Sequence, residues 1–269
     1  MKMSEHHIGF MGFGHLAQVI FTALERAKIV PRSQVLFVRR DRAKMQENEK
    51  KFGITATSLS NLVAKSDLLF LCMRPQQAEK ALTELKEAGS LEGKQIITLL
   101  AGKKIAFYQT HLGPGIQIVR AMPNIASSVA EGMTILSYGP KPSADFKSTV
   151  SLLFSALGSV AEMGEDLMDT ATAMAGSGPG FVFRLIEAMA RSGERAGMPY
   201  PEALKIAAQT FAGAARLILK GELPQDLLAK IATPNGVTQA GLDVMTHHEI
   251  DTHFQSVIEA AARRSRELS

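Results

Sequence analysis

The chain has no tryptophan, a single cysteine and only three tyrosines. One thiol, Cys72, excludes an intramolecular disulfide and argues against a cysteine-based metal site. It falls in the apolar run Leu68–Met73 and reads as a small core residue, which fits a reducing compartment, the cytoplasm. No apolar run approaches the roughly 20 residues needed to span a bilayer, so no membrane is expected as a partner. No apolar signal core follows the opening Met-Lys-Met-Ser-Glu-His-His, and secretion is not expected. The charge balance is also modest: 30 Lys and Arg against 26 Asp and Glu give a formal +4. These basic residues are dispersed, which gives nucleic-acid binding no support and fits mild attraction for an anionic cofactor. His6, His7, His247, His248 and His253 are not spaced as metal ligands, and no metal is expected. What remains is a globular composition, 46% hydrophobic and 21% charged, over 269 residues, which suits two modest domains.

The most informative stretch is Ile8-Gly-Phe-Met-Gly-Phe-Gly-His-Leu-Ala17. An apolar run ends in closely spaced glycines, and a helical pattern follows over about 13–28. Gly9, Gly12 and Gly14 fit a strand-to-helix turn in which a Cβ would block approach of a phosphate. The helix would direct its free N–H groups and positive dipole end at a pyrophosphate. Ala17 stands where close helix–strand packing calls for Gly or Ala.

The spacing predicts a second strand at 34–38, ending in Arg39-Arg40-Asp41. Dinucleotide-binding folds that use NAD place an acid there for the ribose hydroxyl. Two guanidinium groups suit a 2′-phosphate instead, so NADPH is the expected cofactor, with NADH as the alternative. Asp41 also reads as a helix cap. Further strands are expected at 51–57, 67–73, 95–100, 115–121 and 132–138, with helices at 58–65, 75–88 and 143–157. The alternation defines an α/β Rossmann domain, a doubly wound and mostly parallel sheet, over residues 1–162.

From about Glu165 the strand signals vanish. Helical patterns run at 165–175, 179–196, 201–220, 224–231, 236–245 and 249–267, rich in alanine. Residues 163–269 therefore form an all-α domain suited to a bundle or an intersubunit interface. Two breaks interrupt it, Ala175-Gly-Ser-Gly-Pro-Gly180 and Thr233-Pro-Asn-Gly-Val-Thr238. A short glycine-bearing loop before a helix offers N–H groups to a carboxylate. Each break alone also reads as a plain interhelical turn.

Taken in order, these segments resemble the pyrroline-5-carboxylate reductase family over essentially the whole length. The resemblance rests on the glycine stretch, Met73-Arg-Pro-Gln76, Arg120-Ala-Met-Pro-Asn124, Glu131-Gly-Met-Thr134, Met168-Asp-Thr-Ala-Thr-Ala-Met-Ala-Gly-Ser-Gly-Pro179 and Thr233-Pro-Asn-Gly-Val-Thr-Gln-Ala-Gly-Leu242. It implies NAD(P)H-dependent reduction of a small-molecule substrate, the cyclic imine 1-pyrroline-5-carboxylate, to L-proline. It also implies a homodimer through the helical domain, with larger assemblies of dimers common in the family. Carried over by motif, Gly12, Phe13, Gly14, His15 and Leu16 would contact the pyrophosphate, beside Arg39 and Arg40. Asn61, Met73, Arg74, Pro75, Ala101 and Gly102 would line the rest of the cofactor cleft. Asn235, Gly236, Val237 and Thr238 would form the substrate loop, with Glu165 close by and Thr238 as the catalytic hydroxyl on the imine nitrogen. The chain departs from the family pattern at His15, Arg74, Ile125, Asn235 and Val237. Those departures leave open a reductase of another cyclic imine or small carbonyl, or a cofactor-sensing relative without turnover.

Overall fold

The apolar run before the glycines forms β1 (Ile8–Met11), and α1 (His15–Arg26) follows it. The computed structural model describes residues 6–267; Met1–Glu5, the start of the stretch without a signal core, lie outside the described residues, as do the last two. The alternation continues through β2 (Val35–Val38), α2 (Arg42–Phe52), β3 (Thr55–Ala56), α3 (Leu59–Lys65), β4 (Leu68–Leu71), α4 (Ala78–Glu87), β5 (Gln95–Thr98) and α5 (Ile105–Leu112). Then come β6 (Gln117–Met122), β7 (Gly132–Tyr138), α6 (Ala144–Ser155) and β8 (Gly158–Glu162). The strands form one sheet in the order β3-β2-β1-β4-β5-β6-β7-β8. All neighbours are parallel except β6 and β7. The order reverses between β1 and β4, so a crevice opens beyond the carboxyl ends of these two strands.

Strand side chains alternate between the faces, and each face has its own core. Phe10, Phe37, Phe70, Ile97 and Val119 lie on one face, covered by Phe21 and Leu24 of α1 and Phe146, Val150 and Phe154 of α6. Leu36, Leu69, Leu71, Ile96 and Ile118 lie on the other, covered by Leu62 and Val63 of α3, Leu82 and Leu85 of α4 and Tyr108 of α5. This is the doubly wound arrangement read from the sequence. One strand was not foreseen. β8 has the sequence Gly-Ser-Val-Ala-Glu and no fully buried residue. As an edge strand it needs only one apolar neighbour, β7, and shows little of the continuous apolar signal that marks central parallel strands.

The chain divides into two compact units: residues up to Ser177 together with those from Ala261 on, and Gly178–Ala260. The sequence had set a boundary at 162–163. Residues 163–177 group with the sheet because Met168 and Ala171 of α7 (Met168–Ala171) share a small core with Ile135 of β7. Asp169 also accepts a 2.6 Å hydrogen bond from Ser265. The glycine-rich break at 175–180 is corrected. Thr172–Gly176 forms a π-helical turn closed by Ser177 N–H on the Thr172 carbonyl at 2.9 Å, and α8 (Gly178–Arg195) starts directly after it. The side chain of Asn124 donates to the Ala175 carbonyl at 2.9 Å, satisfying a group at this wide turn.

The second unit comprises α8, α9 (Tyr200–Leu219), α10 (Pro224–Ile231), α11 (Val237–His247) and most of α12 (Ile250–Glu267). Its buried cluster is small: Ala190, Ala203 and Ala207, with Ile186, Tyr200 and Leu204 against them. Phe183, Ile206, Leu219, Ile231 and Val244 are all more than half exposed or close to it.

Candidate functional site

The glycine turn between β1 and α1 is fixed from two sides. Phe13 puts its ring in the core, 1% exposed, against Phe10, Phe37 and Phe52 at centroid distances of 5.5, 4.8 and 5.5 Å. Its backbone faces the crevice. The Phe13 carbonyl accepts from Arg39 Nη1 at 2.9 Å, Asn48 Nδ2 at 3.2 Å and Gln18 Nε2 at 3.4 Å. Three donors converge on one oxygen with two lone pairs, so the turn is held firmly in place. Asn48 is buried and was not singled out in the sequence. Its position between Met45 and Phe52, three residues after one and four before the other, puts it on the inner face of α2, and that spacing was the available signal.

The turn borders a cleft of about 540 Å³. Of the residues expected at the cofactor, Gly12, Phe13, Gly14, His15, Arg39, Arg40, Met73 and Arg74 line it. Leu59, Gln77 and Glu84, not anticipated, complete its α3 and α4 sides. The remaining expected residues stand outside its walls. Leu16 packs partly buried against the core. Asn61 is exposed on α3, and its backbone N–H is capped by Ser58. Pro75 opens the 3-10 turn before α4. Ala101 and Gly102 form the turn after β5.

The cleft fits a dinucleotide. Gly12 has φ +93°, and a Cβ there would lie 2.9 Å from the Cys72 carbonyl oxygen at the end of β4. Nothing lies within 4 Å of the place a Cβ on Gly14 would take, so that side of the turn is open. α1 begins at Gly14 with no side-chain cap, which leaves its first N–H groups for an anion. Gly12→Ala forces a left-handed backbone on a residue with a Cβ and a backbone collision, a strain of about 1–3 kcal/mol. The expected outcome is a roughly tenfold weaker Kd for NADPH, equivalent to about 1.4 kcal/mol. Titration by nicotinamide emission checks this free of tryptophan fluorescence, since the chain has none.

At the end of β2, Arg39 is half-buried and fixed by its bond to Phe13, whereas Arg40 is exposed and loosely paired with Glu84 at 3.4 Å. Asp41 accepts from the Lys44 N–H at 3.1 Å and caps α2. That bond, with the charges of Lys44 and Arg39, holds its carboxyl below the usual carboxylate range. The acid is thereby used as a cap.

Glu165 belongs to a second polar group in the same unit. Its Oε1 accepts from Arg120 Nη1 at 2.8 Å and from the Ile105 N–H at 2.7 Å.

The loop Thr233–Thr238 lies in the helical unit. The Gly236 N–H reaches the Thr233 carbonyl at 2.9 Å, closing a turn with Pro234 and Asn235 at its centre. Asn235 has φ +59°. Pro followed by a left-handed residue is the pattern of a type II turn, and asparagine tolerates that angle better than most residues. Gly236 then starts α11 with no side-chain cap, Val237 is 94% exposed and Thr238 is half-buried.

A mostly parallel doubly wound sheet, an open glycine turn at its topological switch point and a basic pair at the end of β2 define a nicotinamide-dinucleotide oxidoreductase. Comparison with known proteins narrows this. Residues 7–102 match the family described as NADP oxidoreductase coenzyme F420-dependent, and residues 165–268 match the family described as pyrroline-5-carboxylate reductase dimerisation. The pyrroline-5-carboxylate reductase of Arabidopsis thaliana is 32% identical over 264 residues, covering 97% of this chain and 95% of that protein. The solved structure of a pyrroline-5-carboxylate reductase from Coxiella burnetii superposes with a TM-score of 0.91 at 28% identity, covering 98% of each chain. That of Plasmodium falciparum pyrroline carboxylate reductase with NADP bound gives 0.86 at 25% identity over 99% of each. The chain belongs to the pyrroline-5-carboxylate reductase family and is an NAD(P)-dependent oxidoreductase. Among the described residues, no helix is long and apolar enough to cross a membrane.

Proposed function

We propose that the protein reduces 1-pyrroline-5-carboxylate to L-proline, the last step of proline synthesis, with NADPH as the preferred reductant. The observation that carries this reading is family membership over nearly the full length, reinforced by the built turn at Pro234–Asn235. When bound, the reduced nicotinamide supplies the hydride. The glycine turn and the uncapped start of α1 hold the pyrophosphate, with His15 at the first helical position. Arg39 and Arg40 address the 2′-phosphate. Met73, Arg74, Pro75, Ala101 and Gly102, on the carboxyl ends of β4 and β5, border the nicotinamide half.

In the helical unit, the uncapped start of α11 presents N–H groups to the substrate carboxylate. Thr238 hydrogen-bonds the imine nitrogen and orients it. A protonated imine is already electrophilic, so the hydroxyl has to position the nitrogen rather than act as a strong acid. The exposed apolar side chains of the helices, whose own cluster buries just three alanines among the described residues, support a homodimer through residues 163–269. Assembly of such dimers into larger oligomers and a cytoplasmic location complete the proposal.

The test is consumption of NADPH by purified protein with pyrroline-5-carboxylate, with NADH run alongside. Turnover preferring NADPH is expected. Nucleotide binding without turnover would overturn the substrate and favour another cyclic imine or a sensing role.

A further inference from the structure

We infer that Glu165 and Arg120 form a positioning pair that holds the loop between β5 and α5, residues 99–104, against the nicotinamide half of the cleft. This rests on the proposed reading of that cleft as the cofactor site. The loop is adjacent to a wall already identified. The Leu99 N–H bonds to the Leu71 carbonyl at 3.1 Å, and Leu71 directly precedes Cys72 and Met73, which line the cleft. Its turn contains Gly102 at φ +76°.

Beyond that backbone bond to β4, side chains tie both ends of this loop. At the start, the Leu100 N–H reaches Thr98 Oγ1 at 3.3 Å, and that hydroxyl donates to the Tyr108 hydroxyl of α5 at 2.7 Å. Tyr108 is fully buried, and burial pushes its hydroxyl pKa up to about 12, so it stays a neutral partner. At the far end, α5 opens at Lys104 with no side-chain cap of its own. Its first N–H, that of Ile105, is satisfied by Glu165 from 60 residues away. A carboxylate at a helix N-terminus serves as acceptor and complements the dipole.

Glu165 is fixed in turn by Arg120 on β6. The Arg120 side chain is 7% exposed, against 27% for Glu165. Arg120 Nε is buried without a hydrogen-bond partner among the described residues, and Nη1 of the same guanidinium pairs with Glu165 at 2.8 Å. The pair thus links a central strand to the loop. One carboxylate oxygen receives two short bonds from the protein, which is the geometry of a brace. The resemblance to the family had put Glu165 beside the substrate. The geometry points to action through the cofactor loop.

The full-length protein carrying Glu165→Ala, Glu165→Gln or Thr98→Val tests this. NADPH affinity is read by emission titration without substrate, thermal melts accompany it, and KM for the imine is measured separately. Glu165→Ala should weaken NADPH about tenfold and leave the imine KM within about twofold. Glu165→Gln should stay within about threefold, because an amide oxygen still accepts from Ile105 and Arg120. Thr98→Val frees the other end of the loop and should weaken NADPH in the same way, so the test does not depend on Glu165→Ala folding. Unchanged NADPH affinity in Glu165→Ala and Thr98→Val would overturn the inference. So would a glutamine variant as impaired as the alanine one with its defect in the imine KM, since that outcome makes Glu165 a charged substrate contact. If the wild type binds NADPH but leaves the imine unreduced, the substrate reading fails, and the affinities still decide the role of Glu165.

Discussion

Thr238→Ala should lower kcat/KM for the imine about 10- to 100-fold, the value of one lost hydrogen bond of about 1–3 kcal/mol to the reacting nitrogen. The loss should appear with NADPH affinity unchanged, because the residues proposed to hold the dinucleotide are those of the glycine turn and of the ends of β2, β4 and β5. Misfolding is a poor competing cause. Thr238 is the second residue of α11, and alanine is a better helix former than threonine. A melting temperature equal to or above that of the wild type is therefore expected. Thr238→Ser keeps the hydroxyl and should recover most of the activity. Thr238→Val keeps the shape and should not. Equal activity of the valine and serine variants would remove the hydroxyl from the mechanism.

The turn before Thr238 shows what the sequence could convey by itself. Pro234-Asn235-Gly236 carries its geometry in its residue types, since Asn235 takes a left-handed angle that asparagine tolerates. The glycine turn after β1 was legible for the same reason, as was Asp41 as the cap of α2. These are local features, in which one residue type answers one backbone demand. Features made by distant partners were not legible. Arg120 and Glu165 stand 45 residues apart, and only the order of strands brings them together. The stretch 175–180 read as a break because its Gly-Ser-Gly run mimics a loop. What makes it helical is a bond from Ser177 to Thr172 and a side chain from Asn124. β8 was hidden by its own weak composition. Phe13 was read as a cofactor contact, which fits its backbone, while its ring belongs to the aromatic core.

The basic pair at the end of β2 yields the larger of the expected effects. Replacing Arg39 and Arg40 together by alanine should raise KM for NADPH about 100-fold and KM for NADH about threefold or less. Two charge-assisted hydrogen bonds at about 1.5–3 kcal/mol each set that scale, reduced by solvent at an exposed site. The single variants should differ in kind. Arg40 is exposed and paired with Glu84 at 3.4 Å, a contact of little worth in water, so it is free to turn to a phosphate. Arg40→Ala should therefore affect NADPH alone. Arg39 also donates to the Phe13 carbonyl, and its loss leaves that oxygen to Asn48 and Gln18. Arg39→Ala should then weaken both cofactors, NADPH the more. Raising the salt concentration should weaken NADPH binding in the wild type more than NADH binding, since the additional phosphate is the charge being screened. Asp41 cannot easily restore an NAD-type site in the double variant, because the N–H of Lys44 already engages its carboxylate. Equal losses for NADPH and NADH in all three variants would mean that the pair supports the glycine turn and reads no phosphate.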